Sequence, residues 1–213
     1  MRIFLTVLVI FISIASLKAQ DHQQSNFDES KVPQYTLPDV LKTQAGKQIK
    51  NKTQWEKTRR PEILRLFEDN IYGQLPTDYD SIRYSLINEN TKSMDGKAHL
   101  KEVLIEVFRL NKSVKIKLLL FIPKNVPKPT PAFLLINNRA KDQADPSRKV
   151  KSDFWPAEEA IAAGYAMAAF HVSDLAPDDP KLFMNGVLQL YPEQLSADNG
   201  MRAIGAWAWG QAG

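Results

Sequence analysis

Cysteine is absent from the 213 residues of this chain. Its absence excludes, within this stretch, disulfide bonds, thiolate zinc sites, iron–sulfur clusters and a cysteine nucleophile. Histidine is scarce: it occurs three times, at positions 22, 99 and 171. These positions do not have the spacing of metal-binding motifs such as H-E-x-x-H. We therefore expect neither a metal site nor a cofactor.

Glycine is also sparse, with nine residues, and the motifs that depend on it are missing. There is no G-x-x-x-x-G-K-[ST] or G-x-G-x-x-G phosphate loop. No serine lies in a G-x-S-x-G turn, which exposes the nucleophile of an α/β-hydrolase. Ser173 is close in sequence to His171 and Asp174. Because neighbouring side chains at a strand end point in alternating directions, we predict a loop here and not a catalytic triad.

One long apolar run is present, and it lies at the N-terminus. Residues 3–14 follow Arg2, and small residues end at Ala19. This order predicts a signal peptide over residues 1–19 and a secreted or periplasmic protein. The run is shorter than the roughly 20 residues of a membrane-spanning helix, so we expect no stable membrane insertion; an anchor is the alternative. Cleavage would remove Arg2 and Lys18 and lower the net charge from +4 to +2, which does not indicate nucleic-acid binding.

The remaining chain is predicted to contain a polar, flexible leader over residues 20–36 and one domain over 37–213. Thr53 and Glu56 have the spacing of a capping box, so a short helix is expected to begin at Thr53. Pro61 is expected to begin a second helix. That helix has one apolar face and is closed by a glycine, and the residues concerned are Ile63, Leu66, Phe67, Ile71 and Gly73.

Alternating apolar residues predict three antiparallel strands near a sheet edge, in segments 82–86, 103–107 and 116–122. The pattern then changes to continuous apolar runs at 132–136 and 165–170, which are typical of strands buried on both faces. Between these runs, a helix is expected from Pro156 to Ala163, closed by Gly164. A last helix is expected to be capped by Asp198, and it contains Ile204, Trp207 and Ala208.

These segments predict an α/β fold with antiparallel first strands, then parallel strands joined by crossover helices. Their order matches the first half of an α/β-hydrolase sheet, a three-layer sandwich. Asn137, Asn138 and Arg139 follow the first parallel strand. Loops at the carboxyl ends of such strands form the ligand crevice. An arginine there can pair with a carboxylate and backbone N–H groups can bind an oxyanion, although an ordinary polar strand end is the alternative.

Several segments together resemble the glucuronoyl esterases, which are secreted α/β-hydrolases that cleave uronic-acid esters in plant cell walls. The similar blocks are W-E-K-T-R-R-P-E-I-L-R-L-F-E-D-N-I-Y-G at 55–73, F-L-L-I-N-N-R at 133–139, G-Y-A-M-A at 164–168 with the strand end at Asp174, and I-G-A-W-A-W-G at 204–210. Together they extend from about residue 37 to residue 210. The resemblance makes Asn138, Arg139 and Asp174 candidates for the substrate or oxyanion side of a site.

The resemblance also implies a mechanism. In that family a serine in a Gly-Cys-Ser-Arg or Gly-His-Ser-Arg turn attacks the ester, and the acid and the histidine follow later in the chain. All three are expected beyond Gly213, so the chain is interpreted as the N-terminal part of such an enzyme, without its catalytic residues. The implied partner is a carbohydrate ester such as glucuronoxylan. The alternatives are an acetylxylan esterase, another α/β-hydrolase, or a non-catalytic binding module that keeps a half-sheet.

Overall fold

The computed structural model describes residues 27–210. The predicted signal peptide and the first part of the predicted leader lie outside the described residues. The chain divides into two units at Val40. In the described part of the first unit, the carboxylate of Asp28 caps a single 3-10 turn, Glu29–Lys31. The second unit, which begins at Leu41, contains the sheet and its helices.

One continuous helical region begins the second unit, where the sequence predicts two separate helices. It consists of α1 (Lys52–Gln54), a π-helical stretch (Trp55–Arg59), α2 (Arg60–Phe67) and a second π-helical stretch (Glu68–Tyr72). Pro61 lies in the first turn of α2, where its missing N–H costs little. Gly73 ends the region with φ +76°, as its predicted role as a closing residue requires.

The predicted cap of this region is wrong by two residues. The side chain of Asn51 accepts a hydrogen bond from the Gln54 backbone N–H at 3.0 Å, and Asn51 has extended φ and ψ angles. Thr53 is already helical, so it is not the N-cap. Asparagine is as good an N-cap as threonine. Asn51 caps the helix because it is the extended residue immediately before the first helical residue, Lys52.

Five strands form one mixed sheet in the order β1-β2-β3-β5-β4. Their bounds are β1 (Ser81–Ser93), β2 (Ala98–Arg109), β3 (Lys112–Pro123), β4 (Ala132–Asn137) and β5 (Ala166–His171). The pairs β1–β2, β2–β3 and β3–β5 are antiparallel, whereas β4 and β5 are parallel. The predicted change from antiparallel to parallel strands is therefore confirmed.

Helices cover both faces of this sheet. The crossover helix α3 (Ala157–Ala162) packs through Ile161 against the core that contains Leu100 and Phe121. The last helix, α4 (Ala203–Trp209), packs through Trp209 against the core on the other face, which contains Val107 and Ile116. The two cores and the sheet between them form the predicted three-layer arrangement.

The N-terminus of α4 differs from the prediction. Its N-cap residue is Arg202 and has no side-chain cap, so Asp198 does not cap the helix. Asp198 instead accepts, through its backbone oxygen, a hydrogen bond from Arg202 Nη2 at 2.9 Å. The Arg202 N–H donates to the carbonyl oxygen of Tyr72. This contact with the first helical region fixes where α4 begins.

Burial on both faces is confirmed for β5 and wrong for β4. Residues 166–170 of β5 are all buried. In β4, Phe133 is 57% exposed and Leu134 is 42% exposed, and among residues 27–210 this strand pairs on one side only, with β5. Only the end of β4 is well covered, and Asn137 is 1% exposed. The carboxyl end of β4 is thus the buried part of this strand.

Candidate functional site

A cavity of about 170 Å³ lies at the carboxyl ends of β4 and β5. Asn137 and His171 are the last residues of these strands and are directly paired in the parallel register. Both line the cavity, and so does Asp174, which follows β5 in a 3-10 turn (Val172–Asp174). The other lining residues are Lys117, Leu119, Lys141, Ala144, Pro146, Ala169 and Phe170. The cavity thus has the position at which open α/β sheets bind ligands.

The buried amide of Asn137 shapes the loop that follows β4. Its Oδ1 accepts a hydrogen bond from the Arg139 N–H at 2.9 Å, and its Nδ2 donates to the Ala140 carbonyl oxygen at 3.2 Å. Both ends of the amide therefore bind the backbone of the next three residues. The sequence places Asn137 at the end of an apolar run, but it does not reveal that this amide is buried.

Asn138 and Arg139, two of the predicted site residues, lie outside the cavity lining. Both are exposed. The guanidinium carbon of Arg139 lies 4.1 Å from the centroid of the Phe154 ring, a cation–π contact. The cavity is therefore lined by Asp174, by Asn137, which the sequence places in the same candidate segment as Asn138 and Arg139, and by His171, to which the sequence assigns no role in a site.

Asp174 joins β5 to the neighbouring antiparallel strand. Its Oδ2 accepts a hydrogen bond from the Lys117 backbone N–H at 3.0 Å. The β3–β5 ladder contains only the three pairs Leu119–Ala169, Leu120–Ala168 and Phe121–Met167. Asp174 thus continues the connection between these strands beyond the last ladder pair.

The Lys117 side chain, which is half exposed, forms an ion pair with a buried carboxylate beside the cavity. Its ammonium group contacts the carboxylate of Glu102, whose side chain is 7% exposed, and Asn88 donates a hydrogen bond to the same carboxylate. Burial by itself raises the pKa of Glu102, but the hydrogen bonds from Lys117 and Asn88 outweigh it and lower that pKa below its usual value. Glu102 is therefore a charged acceptor at neutral pH and holds Lys117 near the rim.

His171 contacts Ser173 across the turn that follows β5. Its Nδ1 lies 2.7 Å from Ser173 Oγ, because Ser173 lies in the 3-10 turn Val172–Asp174 and not in a continuing strand. Its Nε2 lies 2.7 Å from the Arg139 carbonyl oxygen and makes no contact with an acid. Asp174 bonds to β3 instead. The three side chains therefore do not form a serine–histidine–acid relay, as the sequence predicts.

Within residues 27–210, no group of three or more His, Cys, Asp or Glu side chains could hold a metal ion. In the same range, no helix is long and apolar enough to cross a membrane.

No protein-family profile matches the sequence. Carbohydrate esterase MZ0003, from an unknown prokaryotic organism, is 28% identical over 215 aligned positions, which cover 87% of this chain and 49% of that protein. A glucuronoyl esterase from Solibacter usitatus is 27% identical, with a TM-score of 0.73 over 86% of this chain and 53% of that one. A promiscuous CE15 esterase from a marine bacterial metagenome is 26% identical, with a TM-score of 0.69 over 88% of this chain and 54% of that one.

The chain spans about half the length of these relatives. The matches cover most of the described sheet and helices, so they confirm the resemblance that the sequence motifs indicate. The chain is thus similar, in sequence and in its α/β-hydrolase-like fold, to about half of a CE15 glucuronoyl esterase.

Proposed function

We propose that this chain is part of a secreted serine esterase that hydrolyses glucuronoxylan esters of plant cell walls. The observation that carries the proposal is the similarity, over 86–88% of the chain, to proteins named as carbohydrate or glucuronoyl esterases. The position of the cavity, at the carboxyl ends of β4 and β5, supports it. The serine, the acid and the histidine would be supplied by other parts of the protein.

In this proposal, the loop after β4 contributes a backbone N–H group to the oxyanion hole. In α/β-hydrolases one oxyanion donor comes from the loop after the corresponding strand. The Arg139 N–H is already bound by Asn137, so the donor would have to be Asn138, Ala140 or Lys141. Asp174 and Lys117 would shape the rim beside the loop, and the ester would be cleaved by acyl transfer through the serine.

Activity can be tested by reading the encoding DNA past the Gly213 codon and expressing the complete product. We expect a nucleophile turn within a few tens of codons, and hydrolysis of a methyl or benzyl glucuronate ester. Faster hydrolysis of acetylated xylan would favour an acetylxylan esterase. Binding of glucuronoxylan without hydrolysis, by a product that stops at Gly213, would favour a binding module and overturn the proposal.

Secretion is proposed from residues 1–19 and can be tested in a bacterial expression host. We expect the exported protein to begin at Gln20, as read by N-terminal sequencing, because cleavage follows the small residue Ala19. Ala19→Arg should slow cleavage, whereas Gln23→Arg, four residues further on, should not. Recovery of uncleaved protein in the cytoplasm would contradict this part of the proposal.

A further inference from the structure

We propose that His171 is a positioning residue. As the neutral tautomer protonated on Nε2, it ties the loop after β4 to the end of β5. It thereby fixes the backbone of residues 138–140 beside the cavity. The consequence for catalysis rests on the proposed esterase function, but the structural part does not.

The partners of the two ring nitrogens define the tautomer. Nε2 lies 2.7 Å from the carbonyl oxygen of Arg139, which can only accept, so Nε2 must carry a hydrogen. Nδ1 accepts the backbone N–H of Ser173 at 3.1 Å, so it must keep its lone pair. The Ser173 hydroxyl, 2.7 Å from the same nitrogen, then donates to it as well. A proton on Nδ1 would point at the Ser173 N–H and remove the hydrogen bond between them. A ring without a hydrogen on Nε2 could not donate to the Arg139 carbonyl oxygen.

The same loop residue is held by both strand ends. The Arg139 N–H donates to Asn137 Oδ1, and the Arg139 carbonyl oxygen accepts from His171. Asn137 and His171 are register partners in the parallel pair β4–β5, so the two contacts come from adjacent strand ends. A loop that is fixed at both backbone groups of one residue has little freedom to shift. Such rigidity is what an oxyanion donor requires, since displacements near 1 Å cost about 100-fold in rate.

The contacts of His171 favour a positioning role over proton transfer to a substrate, because both ring nitrogens are already hydrogen-bonded. Its Nδ1 lone pair is occupied by Ser173, and its Nε2 hydrogen is occupied by Arg139. Ser173 does not line the cavity that His171 lines. The other groups with ionisable side chains on that lining are Lys117, Lys141 and Asp174.

The tautomer can be measured directly on the 213-residue chain labelled with ¹⁵N-histidine. Correlation spectra of the ring should show, for His171, a protonated Nε2 and an unprotonated, hydrogen-bonded Nδ1 at neutral pH. His22→Gln and His99→Gln, the substitutions of the other two histidines, provide the assignment by elimination, and His99 bonds to Glu89 on the β1–β2 hairpin, away from the loop. A His171 protonated on Nδ1, or an average of the two tautomers, would overturn the proposal.

The positioning role can be tested by hydrogen exchange of the peptide that spans residues 137–144. His171→Ala should accelerate its exchange about fivefold to tenfold, as expected for the loss of one intramolecular hydrogen bond. His171→Gln should restore slow exchange, because its amide N–H₂ reaches about as far as Nε2. Ser173→Ala is the matched control, since it leaves the contact with Arg139 in place. Unchanged exchange in His171→Ala, with β2 and β3 still protected, would overturn the positioning role.

In the complete product, His171→Ala should lower kcat for a glucuronate ester about tenfold with little change in KM, and His171→Gln should recover most of the loss. An unchanged kcat would overturn the catalytic part of the proposal. If no longer product hydrolyses esters, the proposed function fails, whereas the tautomer and exchange results still decide the structural role. The two failures are therefore distinguishable.

Discussion

At the scale of single residues, the loop after β4 depends on side chains that the sequence does not distinguish from their neighbours. Asn137 and Asn138 are adjacent and chemically identical, yet Asn137 is 1% exposed and Asn138 is exposed without a hydrogen bond in the described structure. The sequence predicts that polar residues follow the strand, and this is confirmed. It cannot predict which of them turns inward, because that depends on the register with β5.

We expect Asn137→Ala to lower the free energy of unfolding by about 1–3 kcal/mol, because the substitution leaves the Arg139 N–H without its acceptor and removes one of the two donors to the Ala140 carbonyl oxygen, the other being the Gln143 N–H. Asn138→Ala, the matched control, should change it by less than about 0.5 kcal/mol. Urea denaturation of the 213-residue chain measures both. Equal effects of the two substitutions would contradict the bracing role of Asn137.

A second prediction concerns the ion pair between α3 and the preceding loop. Arg148 donates to both carboxylate oxygens of Glu158, at 3.1 and 2.7 Å, and this lowers the pKa of Glu158 below its usual value despite partial burial. Because the folded-state pKa is the lower one, the stabilisation is complete above the unfolded value and is lost as the pH falls through the folded value.

Glu158→Gln should therefore destabilise the chain at neutral pH by about 1–3 kcal/mol and flatten the decline in stability between about pH 5 and pH 3. Thermal unfolding across this range measures the effect. The neighbouring Glu159→Gln is the control, since Glu159 is exposed and makes no ion pair within the described residues. A parallel pH dependence in the wild-type chain and Glu158→Gln would refute the assignment.

At the scale of elements, periodicity predicts the strands well and their surroundings less well. The segments 82–86, 103–107 and 116–122 all lie inside observed strands, because alternation follows from one covered face and one solvated face. The run 132–136 is also a strand, but the prediction that it is buried on both faces is wrong. An apolar run does not reveal how much of a strand its neighbours cover. The predicted N-caps Thr53 and Asp198 are wrong, because several polar residues near each helix start could serve as the cap.

The junction between the first helical region and α4 is tight enough to require glycine. A Cβ at Gly73 would lie 2.0 Å from the carbonyl oxygen of Gly200. The flanking residues are joined across the junction, because the Gln74 N–H donates to Asn199 and the Arg202 N–H donates to Tyr72. The close approach is thus held on both sides and cannot open without breaking these bonds.

We expect Gly73→Ala to be more destabilising than Gly96→Ala by about 1–3 kcal/mol, the usual cost of overpacking. Both glycines have positive φ, +76° and +83°, so both substitutions incur backbone strain, and at Gly73 the ψ of −179° adds to it because this region is nearly restricted to glycine. Only Gly73 also has a neighbour in the way, since a Cβ at Gly96 would meet nothing within 4 Å. Chemical denaturation of the two variants measures the combined cost of strain and contact at the junction, and equal losses would show that the junction can relax.

At the scale of the whole molecule, β4 leaves one edge of the sheet unpaired within the described residues. This edge carries Phe133 and Leu134, both exposed, and exposed apolar edge strands promote association. We expect the 213-residue chain to associate in a concentration-dependent manner, and Leu134→Lys to weaken that association. Sedimentation velocity over a range of concentrations measures both.

Leu110→Lys is the matched control for this prediction. Leu110 is 63% exposed in the β2–β3 turn, so the substitution makes the same change of charge and hydrophobicity away from a strand edge. Equal weakening by both substitutions would attribute association to surface hydrophobicity in general. A monomeric wild-type chain would show that the edge is not a site of association.

The short seam between β3 and β5 has a consequence for the order of folding. The strands β1, β2 and β3 are joined by turns of four and two residues and pair along most of their lengths, whereas β5 joins them through three pairs. Local pairing closes small loops and is fast, and the parallel pair must first close a crossover between Asn137 and Ala166. The antiparallel strands β1, β2 and β3 can therefore pair first. The cavity, and the hydrogen bonds that Asn137 and His171 make to the loop after β4, would be completed only in the last step, when β4 and β5 dock.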